Sequence, residues 1–111
     1  MKILIHPSLE LSLIELIENL YEKEYFSYLE NAEDYVDKII FFIKNNISKR
    51  RSKEATNYFK RLTGEKELHY VFYRANKNTT WYIFFVMQND IFLILHIANN
   101  HTDGHHILGL K

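Results

Sequence analysis

The sequence predicts an α+β domain: an N-terminal strand and a helical hairpin packed on a C-terminal antiparallel sheet. Three observations carry the prediction. The second half contains three consecutive runs of aromatic and β-branched residues separated by Asn/Asp clusters, the first half contains two stretches of helical apolar spacing, and a short alternating segment precedes them. The helices need an apolar sheet face to cover, so the two halves are read as one domain spanning residues 1–111.

Lys2 to His6 alternates Lys2, Leu4 and His6 against Ile3 and Ile5, which reads as a strand ended by Pro7. Ser8 is the expected N-cap of a first helix, whose stripe is Leu9, Leu13, Leu16, Ile17 and Leu20, widened by Ile14 and Tyr21. Asn31 offers a second N-cap. Glu33 and Asp34 then complement the helix dipole in the first turn, and Tyr35, Val36, Ile39, Ile40, Phe42 and Ile43 form the apolar side before Lys44. A third, shorter helix is predicted from about Ser52 to Leu62, burying Tyr58, Phe59 and Leu62, with Gly64 as its C-cap.

Leu68 to Arg74, Trp81 to Met87 and Ile91 to Ala98 are the predicted strands of an antiparallel meander, which the N-terminal strand joins. Their turns fall at Asn76-Lys77-Asn78 and Gln88-Asn89-Asp90, where Asn and Asp tolerate turn geometry.

Composition narrows the chemistry. The chain has no cysteine, which excludes thiol catalysis and zinc-thiolate sites and fits a reducing compartment. Its longest apolar run, Trp81 to Met87, is far short of the roughly 20 residues a membrane helix needs, and the N-terminus lacks a signal-peptide pattern. A soluble, cytoplasmic protein without a membrane partner is expected.

Net charge is zero, yet the charges are segregated. Residues 1–43 hold three Lys/Arg against nine Asp/Glu, and residues 44–111 hold eleven against five. Lys49, Arg50, Arg51, Lys53, Lys60 and Arg61 form a basic block before the meander. Such a block raises affinity for phosphate through counterion release, and a solvated helix face or linker has the same composition.

The run Tyr58-Phe59-Lys60-Arg61-Leu62-Thr63-Gly64, the strand Trp81-Tyr82-Ile83-Phe84-Phe85, and Ile94-Leu95-His96 through Thr102 resemble segments of the RelE/ParE superfamily of type II toxins, closest to its HigB-like branch. The element order extends this resemblance to the whole chain. It implies a helical hairpin on a curved antiparallel sheet and growth inhibition. The implied activity is ribosome-dependent, metal-independent cleavage of messenger RNA, or non-enzymatic poisoning of DNA gyrase as in ParE-like members. It also implies a cognate antitoxin, and no cofactor.

The sequence departs from the family pattern at the chemistry. Where HigB-like enzymes place an acidic residue stands Tyr70, the arginine two positions later is Phe72, the arginine of the Tyr-Arg-Ile-Phe-type strand is Tyr82, and the Lys-Lys pair is Asn100 and His101. The ordinary ribonuclease roles therefore do not transfer residue by residue. A degenerate member that keeps only antitoxin binding is a further reading.

Alternation places Tyr70, Phe72 and Arg74 on one side of their strand, and the resemblance sets Tyr82 on the same open face. Arg74 is the expected phosphate ligand, because a guanidinium holds two oxygens at once. His101 is the expected acid or base, with Tyr82 as a second candidate for proton transfer. Tyr70, or in its place Tyr73 or Tyr82, is read as an RNA-stacking residue, with the basic block Lys49, Arg50, Arg51, Lys53, Lys60 and Arg61 as further RNA-binding residues. His101, His105 and His106 also have metal-ligand chemistry, but with no cysteine and only Asp103 nearby no metal is assigned. His96 lies in an apolar run and reads as a buried, hydrogen-bonded histidine.

Overall fold

The computed structural model describes residues 2–22, 29–49, 51–77 and 79–100. Strand β1 (Lys2–Ile5) leads into helix α1 (Pro7–Glu22) and helix α2 (Leu29–Asn46). Strand β2 (Lys53–Glu54) and helix α3 (Asn57–Thr63) follow, then strands β3 (His69–Asn76), β4 (Thr79–Gln88) and β5 (Ile91–Asn99). The five strands form one sheet in the order β1-β5-β4-β3-β2.

The predicted meander is present. β3 to β4 and β4 to β5 are antiparallel, with Val71 opposite Ile83 and Tyr82 opposite Ala98. Asn89 and Asp90 both take positive φ, 53° and 65°, which matches the right-handed twist of a two-residue hairpin turn. In two respects the sheet differs from the expectation. β1 joins β5 in parallel, pairing Leu4 with Leu93, so the sheet is mixed rather than antiparallel. Both helices of the pair, β2, α3, β3 and β4 separate β1 from β5 along the chain, so no tight turn forces the two strands to run antiparallel. A fifth strand, β2, lies inside the stretch predicted as the start of the third helix. Lys53 pairs with Tyr70 and Glu54 with His69, and the Ala55 N–H donates to the Leu68 carbonyl, so this backbone is held by the sheet. Thr56 is extended, and helix begins only after it.

Helix α1 starts two residues earlier than a Ser8 N-cap predicts, at Pro7 rather than Leu9. Pro7 occupies its first turn, where no N–H is needed, and His6 takes the capping role: its Nδ1 accepts the Ser8 N–H at 3.2 Å and its carbonyl accepts the Leu9 N–H at 2.9 Å. Leu9 and Leu13 are buried as expected. Ile14 is 54% exposed, because at 3.6 residues per turn it stands about 140° around the helix from Leu9.

The α1–α2 pair covers one sheet face. Leu9, Ile39, Phe42, Ile43 and Ile47 pack there on Val71, Trp81, Ile83, Phe85, Phe92 and Ile94. The Trp81 indole N–H donates to the Tyr35 hydroxyl at 2.9 Å and ties α2 to β4. Gly64 caps α3 as predicted, at φ 75° with its N–H on the Lys60 carbonyl. Among the described residues, no helix is long and apolar enough to cross a membrane.

A candidate nucleic-acid interface at the end of the second sheet face

The face turned away from α1 and α2 was expected to be open. Much of it is covered instead. Phe59 of α3 stacks on Phe84 at 4.3 Å between ring centroids, and Ala55, Leu68, Tyr70, Tyr82, Phe84, Val86 and Ala98 form a second core with it. His96 pairs with Phe84 across the β4–β5 ladder and lies 5.7 Å from the Phe59 ring, so it is a part-buried member of this aromatic packing.

The face opens toward the β3–β4 turn. Phe72 lies opposite Tyr82, and Arg74 lies opposite Thr80, so Phe72, Arg74 and Tyr82 share this side. The tyrosines are the floor. Tyr70 and Tyr82 retain only 6% and 9% of their surface and stand edge to face at 5.8 Å, whereas Phe72 between them and Arg74 is 46% exposed. Arg74 is exposed, and its guanidinium donates to the Lys77 carbonyl at 3.1 Å, which sets it over the turn.

Burial raises the Tyr70 phenol above its ordinary value, and the neighbouring Tyr82 hydroxyl adds to the effect. Tyr70 is thus protonated at neutral pH and supplies a ring and an O–H donor. It is unsuited to act as a base there.

Part of the basic block reaches this end. Arg51 and Lys53 line a shallow groove with Val71 and Phe72, and the Lys53–Tyr70 pairing sets Lys53 on the Phe72 side. Lys60 is engaged elsewhere, in an ion pair with Glu54 that holds α3 to β2. The Lys60 ammonium, by hydrogen bond and charge, keeps the Glu54 carboxylate below its ordinary range. Arg61 is exposed on α3 and Lys49 on the turn after α2, apart from the groove residues. Arg50, His101, His105 and His106 lie outside the described residues. No cluster of three metal-ligating side chains occurs among the described residues.

Phe72 is the functional candidate that sequence reasoning passed over, since it stood out there only as a missing arginine. Its signal was positional: it alternates with Tyr70 and Arg74 on a strand preceded by the basic block. Asn100 has a structural task, accepting the Thr80 N–H at 2.8 Å and joining the end of β5 to the start of β4.

The arrangement offers an exposed ring with cations on both sides, Arg51 and Lys53 at the sheet edge and Arg74 farther along β3. Chemically it suits a planar base with flanking phosphates. No family model matches the chain, and neither a curated protein nor a solved structure matches it.

Proposed function

We propose that this chain is a RelE/ParE-like toxin of a type II toxin-antitoxin system that engages messenger RNA on the ribosome through the Phe72–Arg74 end of its sheet. The single observation carrying this reading is the exposed Phe72 ring between the Arg51/Lys53 groove and Arg74. Stacking of a base on an aromatic side chain contributes about 1–3 kcal/mol, and arginine adds charge-assisted bonds to phosphate. The element order and the α1–α2 hairpin on one sheet face are compatible with that family.

In this proposal Phe72 holds an unpaired base, Arg74 holds the adjacent phosphate, and Arg51 and Lys53 steer the strand into the groove. Tyr82 sits below Phe72 and sets the ring's position rather than meeting solvent. Cleavage at the 2′-hydroxyl would draw its acid or base from His101, and it involves no cofactor.

A second reading, a non-enzymatic ParE-like inhibitor of DNA gyrase or a member that only binds its antitoxin, is favoured by the state of Tyr70. A protonated, buried phenol at the position where an acidic residue is expected removes one proton acceptor from the site.

Induced expression followed by transcript-end mapping and a supercoiling assay on the same cells separates the readings. New transcript ends with normal supercoiling support the ribonuclease. Intact transcripts with inhibited gyrase support the second reading, and unimpaired growth with neither change contradicts toxicity altogether.

A further inference from the structure

The outer surface of the helical pair carries large apolar side chains that the sheet does not use. At about 100° per residue, Leu11 and Ile14 stand about 200° and about 140° around α1 from buried Leu9, and Phe41 stands about 180° around α2 from buried Ala32. All three are more than half exposed. Carboxylates share that surface. Glu15 and Glu18 are exposed beside Leu11 and Ile14 on α1, and Asp37 and Asp34 are exposed one and two turns before Phe41 on α2, with Lys38 at the margin.

A complementary surface lies on the same chain. The shallow groove at β2 presents the exposed cations Arg51 and Lys53 around the half-exposed Phe72 ring, the inverse of carboxylates around apolar side chains. The Lys60–Glu54 ion pair uses none of these groups. Within one molecule the two surfaces do not meet, because α1 and α2 cover one sheet face and Phe72 lies on the other.

We infer that the outer helical surface is occupied by a second copy of this chain, which docks its Arg51/Lys53/Phe72 groove on Leu11, Ile14 and Phe41. Glu15, Glu18, Asp34 and Asp37 then meet the arriving cations, and zero net charge leaves no overall repulsion between copies. Like surfaces do not pair. Two helical surfaces would set carboxylate against carboxylate, and two grooves cation against cation, so the contact joins unlike surfaces and passes from copy to copy. It stands independently of the RNA reading, and it would cover the Phe72 ring of each copy so engaged.

Sedimentation velocity on the full chain without nucleic acid tests this, together with two charge-reversed chains, Glu15→Lys/Glu18→Lys and Arg51→Glu/Lys53→Glu. All four positions are exposed, and circular dichroism checks that both variants fold. The unaltered chain is expected to associate as its concentration rises, at least about tenfold more weakly in about 500 mM than in about 50 mM salt. Each reversed chain alone should associate at least about tenfold more weakly than the unaltered chain, and an equimolar mixture of the two should recover, since each then meets an opposite surface. A chain that stays monomeric at every concentration overturns the inference. So does association that ignores salt, that persists in full in either reversed chain, or that fails to recover in the mixture.

Discussion

Phe72 keeps nearly half its surface in water although Tyr70 before it on that face and Tyr82 opposite it are buried. Removing it therefore costs the fold little. Phe72→Ala is expected to shift urea stability far less than the about 3–5 kcal/mol of a fully buried phenylalanine, while weakening the binding of single-stranded RNA by about tenfold. Filter binding beside a denaturation curve checks both. Tyr70 behaves in the opposite way. Its phenol ionises above the ordinary tyrosine value, so the folded state holds its proton longer than the unfolded chain. That contribution is fully present below about pH 10 and is lost as pH rises through the folded value. An absorbance titration should resolve a late-ionising tyrosine that Tyr70→Phe removes; an unaltered titration would refute the assignment. Glu54 carries the reverse sign. Its lowered carboxyl favours folding above its unfolded value and ceases to do so as pH falls through the folded one, so Glu54→Gln should be relatively harmless in acid.

At the scale of elements, the Tyr35–Trp81 hydrogen bond is a polar tie between the helical pair and the sheet. Tyr35→Phe leaves a buried indole N–H without this acceptor, at a cost of about 1–3 kcal/mol measurable by chemical denaturation. α3 depends on Phe59, fully buried against Phe84 and His96. Phe59→Ala should destabilise by about 3–5 kcal/mol and expose the Tyr70–Tyr82 floor, whereas Leu62→Ala on the exposed side of α3 should change little.

These elements also show what the sequence made legible. Runs of aromatic and β-branched residues and the Asn89-Asp90 turn marked the meander, because such side chains suit a pleated, buried surface and a tight hairpin needs residues that tolerate positive φ. The helical pair was legible from apolar spacing for the same kind of reason. β2 was not legible, since two exposed residues, Lys53 and Glu54, carry no periodicity and their conformation is set by pairing to Tyr70 and His69. Nor was the parallel direction of β1, because no tight turn links it to β5 and so no local signal sets their relative direction. For the site, alternation grouped Tyr70, Phe72 and Arg74 correctly on one side, but the coverage of that side by Phe59 is a tertiary fact. Burial of both tyrosines follows from it.

At the scale of the molecule, the sheet is a partition. One face is covered by α1 and α2; α3 covers part of the other, and among the described residues Phe72 and Arg74 stay exposed on it near the β3–β4 turn. Arg51, Lys53 and Arg74 of the basic second part of the chain lie around that end, where a polyanion gains counterion-release affinity. RNA binding at the groove should accordingly weaken as salt rises, with a shallower slope in Lys53→Ala.

The most direct test of the central claim, that the Phe72–Arg74 end contacts the target, is growth arrest on induced expression of three chains at matched protein levels. They are the unaltered chain, the double variant Phe72→Ala/Arg74→Ala, and Phe41→Ala, which alters an exposed residue of α2. Arrest by the first and third with normal growth of the double variant is the predicted result. Arrest that survives in the double variant, or that is lost in Phe41→Ala instead, would contradict it.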